Sequence, residues 1–109
     1  MKTAIKLLIA AAVIVMALPA HAADPATESL YKTKCAACHG PDGAGNTPAG
    51  KKLETRSFLL PDVMKATDKE LTEITCKGKN KMPAFDKKLT EDQIKGLVAY
   101  VRELQKAKK

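Results

Sequence analysis

The sequence predicts a small all-α domain of three or four helices joined by loops. Two capping boxes, each a Thr followed three residues later by Glu or Gln, precede helical apolar patterns at residues 67–78 and 90–104. No stretch alternates polar and apolar residues for long enough to predict a strand. The 109-residue chain has two Phe, two Tyr and no Trp, so few large side chains are available for a core. Domains this small often need a disulfide framework, a metal or another added group.

The first 22 residues have the layout of an export signal. Lys2 and Lys6 precede an unbroken run of 12 apolar residues at 7–18, and small residues flank His21 at the expected cleavage position. The alternative is a membrane anchor, but a spanning helix needs roughly 20 apolar residues. We therefore predict cleavage after Ala22 and export to a bacterial periplasm, without stable membrane insertion. The domain at 23–109 then carries 17 Lys and Arg against 12 Asp and Glu, a formal charge of +5.

One helix is predicted in the first half of this domain, followed by a loop and an ambiguous segment. Asp24 can cap a helix that Pro25 begins and that continues towards Lys34. Residues 40–50 contain four Gly and two Pro, which is typical of a loop. The segment at 53–63 is ambiguous, although Pro61 can begin a short helix.

Two further helices follow the capping boxes. The first carries Leu71 and Ile74, and Gly78 can end it. The second has apolar residues at 94, 97, 98, 101 and 104, and lysines near its end suit the negative pole of the helix dipole. We see no internal repeat, so the prediction is a single all-helical unit.

The motif Cys35-Ala36-Ala37-Cys38-His39 is the strongest chemical signal in the chain. Two cysteines at this spacing can each bond a haem vinyl group, and the adjacent His can bind the iron. A thioredoxin-like motif would need a βαβ pattern, which is not visible. The same residues could instead form a zinc site together with Cys76, or a strained disulfide between Cys35 and Cys38. In an exported, strand-free chain the pattern favours one covalently bound haem c.

A second axial ligand can be argued by elimination. If residues 1–22 are removed, His39 is the only histidine, and Met64 and Met82 are the remaining candidates. Met82 precedes Pro83, which holds it in an extended conformation, and 43 residues separate it from His39. The sequence therefore predicts Met82 as the sulfur ligand rather than core filler. We expect Met64 to pack beside the haem or the core.

The chain resembles a small class I monohaem cytochrome c of the bacterial periplasmic kind, over residues 28–104. The resemblance rests on Leu30-Tyr31, Cys35-Ala36-Ala37-Cys38-His39, Gly40-Pro41-Asp42-Gly43-Ala44-Gly45, Gly78-Lys79-Asn80-Lys81-Met82-Pro83-Ala84-Phe85 and Leu97-Val98-Ala99-Tyr100-Val101. It implies a fold wrapped around one haem, with the terminal helices crossing so that Leu30 and Tyr31 lie near Leu97, Tyr100 and Val101. The family's second ligand occurs in the same Met-Pro context, and a loop proline, here Pro48, often offers its carbonyl to the ligating His.

These ligands predict a function. Iron bound by His39 and Met82 has no open position, and Met/His ligation raises the reduction potential. We therefore expect a soluble electron-transfer protein and not an enzyme. The alternatives are a haem enzyme with weak peroxidase activity, which would need Met82 to leave the iron, and a metal-binding module built from the thiols and His39.

Charge and the third cysteine bear on partners. Five lysines lie within twelve residues around Met82, at positions 77, 79, 81, 87 and 88. Such a patch predicts redox partners with acidic docking surfaces, although a charge run is often only a solvated face. Nucleic acid is a poor partner because no aromatic residues are interleaved with the lysines.

Cys76 departs from the family pattern. Its helical position suggests partial exposure, so we expect a monomer with a minor dimer through Cys76, unless Cys76 is buried.

Overall fold

The computed structural model describes residues 24–107, which form six helices and no strand. The helices are α1 (Pro25–Lys34), α2 (Ala36–His39), α3 (Pro48–Lys52), α4 (Pro61–Lys65), α5 (Asp68–Lys77) and α6 (Glu91–Ala107). The all-α prediction is confirmed. The expected cleavage after Ala22 lies outside the described residues. Over 24–107, no helix combines the length and apolar character that crossing a bilayer requires.

The predicted helix starts are present with their caps. The Asp24 carboxylate accepts from the Thr27 N–H at 2.8 Å, and the Thr67 hydroxyl accepts from the Glu70 N–H at 3.0 Å. Thr90 and Gln93 form a reciprocal capping box, with bonds of 2.8 and 3.1 Å. Each cap satisfies a backbone N–H that the first helical turn leaves unpaired.

Two short helices, α2 and α3, were not predicted. Each is about one turn long, so neither shows a periodic apolar pattern in the sequence. Thr47 caps α3 by accepting from the Gly50 N–H at 2.8 Å. A Cβ on Gly50 would lie 2.2 Å from the Cys38 carbonyl oxygen, so α3 packs backbone against backbone on α2. This contact brings the glycine-rich loop under the Cys-x-x-Cys-His motif.

The first and last long helices cross and hold the core between them. Tyr31 is 1% exposed, and its ring centroid lies 4.8 Å from that of Tyr100. Leu30 packs against the same cluster, which confirms the helix crossing that the resemblance implied. The buried cluster is Tyr31, Phe85, Leu89, Ile94 and Leu97. Helix α5 packs on the same α6, so α6 is the central element of the domain.

The expectation for Met64 is wrong. Its side chain is 37% exposed, whereas Val63 faces the interior cavity. The reason is geometric, because neighbouring positions on a helix differ by about 100° and α4 is a single turn. Cys76 is half-buried against the core cluster, between the exposed and buried alternatives.

Candidate cofactor site

A cavity of about 330 Å³ lies in the middle of the domain. This volume is within the range of roughly 300–1,000 Å³ that is usual for cofactor and ligand pockets. The walls come from α1, α2, α4, α5, α6 and the segments at 53–58 and 79–85. The apolar lining residues are Tyr31, Leu53, Phe58, Val63, Leu71, Ile74, Pro83, Phe85, Leu97, Val98 and Val101. The cavity therefore suits a large and mostly apolar group.

The two motif cysteines open onto this cavity as free thiols. Cys35 ends α1 and precedes α2, and the His39 N–H donates to its carbonyl at 2.9 Å. This single turn brings Cys35, Cys38 and His39 to the wall of one cavity. Burial raises the pKa of the Cys35 thiol to about 11, and the neighbouring Cys38 adds to the effect. Cys35 is therefore an uncharged thiol at neutral pH.

His39 is the histidine that the sequence singled out, and it lies half-buried in the wall of the cavity. Burial lowers the pKa of the imidazole below its ordinary value. A hydrogen bond with the Arg56 backbone raises this pKa and so opposes the effect of burial only in part. The imidazole is therefore neutral at pH 7, the form that binds metals. Its ring stacks on Phe58, with centroids 4.5 Å apart and planes 23° apart.

The Nδ1 atom of His39 is buried and has no hydrogen-bond partner. The backbone hydrogen bond of the His39 ring involves Arg56 and not the expected carbonyl of Pro48, which is the first residue of α3. A buried polar atom left unpaired costs about 1–3 kcal/mol. Such an atom is an exception that needs an explanation, and a group bound in the cavity beside the ring supplies one.

Met82 lines the same cavity from a tight turn at residues 78–82, which we call the Met82 turn. Lys79 and Met82 exchange backbone hydrogen bonds of 3.2 and 2.9 Å, and Asn80 takes a positive φ of 54° between them. The Phe85 N–H then donates to the Thr75 carbonyl at 3.0 Å, which ties the chain back to α5. The structure therefore brings the predicted residues Cys35, Cys38, His39 and Met82 to one cavity, and Met64 does not line it.

The zinc alternative has no matching cluster. Cys76 does not line the cavity that Cys35, Cys38 and His39 share. Across the described part of the chain, no three His, Cys, Asp or Glu side chains are grouped so that they could hold a metal ion. The three cysteines are free thiols, so the Cys35–Cys38 disulfide is not formed either.

The rim of the cavity is positively charged. Lys34, Arg56, Lys79 and Lys81 all border it. Lys81 lies 3.8 Å from the Glu54 carboxylate, and Glu54 borders the same cavity. The remaining lysines of the predicted patch, at 77, 87 and 88, are exposed. The structure thus places two of the five patch lysines at the rim itself.

Sequence reasoning missed Phe58 and Arg56 as residues of the site. Both lie in the segment at 53–63, where no periodic pattern was visible. No motif marks them, because their place beside His39 depends on how this segment folds back over the loop at 40–50. The Phe58 N–H donates to the Gly43 carbonyl at 2.9 Å, which is the contact that brings it there.

The residues present fit a covalently bound haem. An apolar cavity bordered by two free thiols, a neutral imidazole and a thioether offers the donor set that haem c requires. A thiol pair can bond the two vinyl groups, and the nitrogen and sulfur donors can bind iron. The orphaned ring nitrogen of His39 is the observation that most directly points to a missing group.

Comparison with known proteins agrees with this site. A family model described as cytochrome C oxidase, cbb3-type, subunit III matches residues 22–101. The chain is 37% identical over 87 residues to a cytochrome c6 of Synechococcus sp., covering 79% of this chain and 75% of the relative. It is 38% identical over 95 residues to a cytochrome c6 of Thermosynechococcus vestitus, covering 85% and 82%. The solved structure titled KustC0563 c-type cytochrome aligns with a TM-score of 0.66 and 33% identity, covering 72% of this chain and 96% of that one. The chain therefore belongs to the small monohaem class I cytochromes c, the electron carriers that bind haem covalently.

Proposed function

We propose that this chain is a periplasmic one-electron carrier with a single haem c. In this proposal Cys35 and Cys38 would hold the haem through thioether bonds to its two vinyl groups, and His39 and Met82 would bind its iron. The observation that carries the proposal is that all four side chains line one cavity of about 330 Å³. When bound, haem supplies an iron that changes oxidation state by one electron. The chain determines at what potential and with which partners this happens.

The ligand pair sets the type of chemistry. With His39 and Met82 both bound, no coordination position is open to a substrate or to oxygen, so electron transfer is favoured over catalysis. The apolar walls keep water from the site and so disfavour extra positive charge there. Together with a thioether ligand, this environment raises the reduction potential. Met82 is held for this role by the backbone bonds of the Met82 turn and by Gly78.

The lysines bear on the partner. Exposed Lys79 and Lys81 stand at the rim, where they can meet a negatively charged surface before the haem edge does. The Lys81–Glu54 pair does not cancel this charge, because both side chains are more than half exposed and such pairs are weak. We therefore propose redox partners with acidic docking surfaces.

The location of the protein is part of the proposal. It is supported by the basic start, the 12-residue apolar run and the small residues before Ala23. Intact mass measurement on protein isolated from the periplasm should give a chain that starts at Ala23 and carries one haem. A product that keeps residues 1–22, or that collects in the cytoplasm, would contradict the export proposal.

The ligand assignment is tested by a pair of methionine variants. Met82→Ala should abolish the sulfur-to-iron absorption band, lower the reduction potential and create peroxidase activity, because a coordination site becomes free. Met64→Leu is the matched control, since Met64 is exposed and away from the cavity. Its spectrum should equal that of the wild type. Loss of the band in Met64→Leu, with survival in Met82→Ala, would show that the assignment is wrong.

The wild-type optical spectrum separates the electron carrier from a haem enzyme and from a metal-binding module. Sharp Soret and α bands with a low-spin signature are expected of the electron carrier. High-spin ferric haem would instead indicate a haem enzyme with an open position. A purified, exported protein without any visible band would indicate thiol or metal chemistry.

A further inference from the structure

The Phe58 ring is fixed from several sides over the imidazole of His39. The two rings are stacked, with centroids 4.5 Å apart. Phe58 also packs on Gly43, where an added Cβ would lie only 2.4 Å from Cδ2 of the ring. The Phe58 N–H donates to the Gly43 carbonyl at 2.9 Å. The ring therefore has little freedom to leave the imidazole while its backbone stays in place.

Gln105 holds the second polar group of the Phe58 backbone. Its side chain is 4% exposed, and it is the one buried polar residue in the described part of the chain. Its Nε2 atom donates to the Phe58 carbonyl at 2.8 Å. Gln105 lies in the last turns of α6 and does not line the cavity. Its direct hydrogen bond towards the site is the one to the Phe58 carbonyl.

Arg102 stands behind Gln105 and completes a polar network. Its Nη1 donates to the Gln105 Oε1 at 3.0 Å. Its Nε donates to the Asp68 carboxylate at 2.9 Å, and its Nη2 donates to the Ala66 carbonyl. The network thus joins α6 to the start of α5 and, through Ala66, to the end of α4. A buried amide with both ends paired has one orientation, so it can hold a neighbouring backbone in one place.

We infer that Gln105 is a positioning residue for His39, and that it acts through Phe58. This inference rests on the proposed function, in which His39 is an axial ligand. A ligating histidine usually has its ring orientation fixed by a hydrogen bond from its other nitrogen. For His39 the stacked Phe58 ring is a further contact that limits rotation of the imidazole. Gln105 keeps that ring in place by holding the backbone that carries it.

Two substitutions of Gln105 test this role on the haem-loaded full protein. Gln105→Leu removes the whole network contact. Gln105→Glu keeps an oxygen for Arg102 and replaces the donor to the Phe58 carbonyl with a carboxylate oxygen, which repels that carbonyl. Both should shift or broaden the hyperfine-shifted ring-proton resonances of His39 in the ferric protein and lower the midpoint potential. The low-spin optical spectrum should persist, because both ligands stay bound.

The route through Phe58 is tested by a double-mutant cycle. Phe58→Leu removes the stacked ring and should by itself change the His39 resonances. Phe58→Tyr keeps the ring, so its His39 resonances should match those of the wild type. In the Phe58→Leu background, Gln105→Glu should have no further effect on these resonances. Ile94→Val is the control for general loss of packing, since Ile94 is 1% exposed and does not line the cavity.

The outcomes separate this inference from the proposed function. Equal His39 shifts in Ile94→Val and Gln105→Glu would overturn the positioning role, as would an undiminished effect of Gln105→Glu in the Phe58→Leu background. If Gln105→Leu does not accumulate as folded protein, the Glu variant gives the same test with the Arg102 contact retained. A wild-type ferric spectrum without any imidazole ring protons would count against the proposed ligation itself, and the inference would fail with it.

Discussion

At the scale of single residues, Tyr31 connects the core to the cofactor motif. Its ring lies in the crossing of α1 and α6, and its hydroxyl donates to the Gly40 carbonyl at 2.7 Å. Gly40 directly follows His39, so this bond holds the end of the motif helix against the core. A buried hydrogen bond of this kind contributes about 1 kcal/mol, and leaving the carbonyl unpaired costs about 1–3 kcal/mol.

Tyr31 also predicts a pH dependence. Burial raises the pKa of its hydroxyl above the ordinary value of 10.0. Above pH 10 the unfolded chain loses this proton while the folded chain keeps it, so the stabilisation is complete below pH 10 and declines above it. Tyr31→Phe should therefore lower the free energy of unfolding by about 1–3 kcal/mol at pH 7. Above pH 10 the difference in the free energy of unfolding between the wild type and Tyr31→Phe should shrink by up to about 1.4 kcal/mol per pH unit.

Urea unfolding of both proteins between pH 8 and 11, followed by far-ultraviolet circular dichroism, measures this difference. Comparing the two proteins at each pH cancels the titration of the lysines that they share. If the free energies of unfolding of the two proteins differ by the same amount at every pH, ionisation of Tyr31 does not contribute to stability.

At the scale of elements, the end of α5 determines where Met82 lies. Gly78 ends the helix with φ 78° and ψ 167°, a region that is essentially open only to glycine. A Cβ at this position would lie 2.6 Å from the Met82 carbonyl oxygen and 3.0 Å from the Ala84 nitrogen. Both contacts are with backbone, so a side chain at Gly78 would have to displace the Met82 turn.

Gly78→Ala should therefore disturb both stability and ligation. We expect a loss of about 1–3 kcal/mol in the free energy of unfolding from backbone strain, and a weakened sulfur-to-iron absorption band because Met82 moves. Gly96→Ala is the matched control. Its Cβ would meet only the Thr27 side chain, at 3.1 Å, where α6 crosses α1. A band of full intensity in Gly78→Ala would show that the Met82 turn tolerates the displacement.

At the scale of the whole molecule, the domain is built around its central cavity. Only six apolar side chains are buried in the described residues: Tyr31, Phe85, Leu89, Ile94, Leu97 and Val98. The three long helices and the Met82 turn all contribute side chains to the wall of the cavity. A small domain with so little buried side-chain area is marginal without a further apolar body.

We therefore expect haem attachment to be a requirement for folding. Changing both Cys35 and Cys38 to Ser should give a largely unfolded chain that is degraded by proteases. Cys76→Ser is the control, because Cys76 is half-buried and does not line the cavity. This variant should remain folded and coloured. The readouts are the dispersion of amide resonances and the rate of limited proteolysis. A well-dispersed spectrum from the double Ser variant would contradict the requirement.

The surface charge of the molecule predicts how fast it reacts. Long-range attraction between exposed charges is screened beyond about 8 Å at physiological salt. Rates of electron transfer to an acidic partner should therefore fall as ionic strength rises. Changing Lys79 and Lys81 to Glu should slow this reaction and leave the optical spectrum unchanged. Lys95 and Lys106, on exposed positions of α6 away from the cavity, provide the control pair for the same charge change. A rate that does not depend on salt would indicate a mainly apolar contact.

The sequence by itself was sufficient for the starts of the long helices and for the candidate donor set. Asp24, Thr67 and Thr90 each marked a helix start, because a capping side chain acts on N–H groups only two or three residues away. The Cys-x-x-Cys-His motif and the Met-Pro pair were likewise visible, since each is a short pattern of adjacent residues. These local signals predicted the all-α class, the crossing pair of long helices through family resemblance, and the candidate ligands Cys35, Cys38, His39 and Met82.

Only the tertiary structure decided which residues surround those ligands. Phe58 reaches His39 through a bond to Gly43, and Gln105 reaches Phe58 across 47 positions of the chain. Such contacts leave no periodic pattern, because they depend on how separate segments pack. The same reason explains why Met64 was misplaced, since a single-turn helix carries too few residues to show which face is buried. Helix starts are determined locally in this chain, whereas the environment of its histidine exists only once the whole domain has folded.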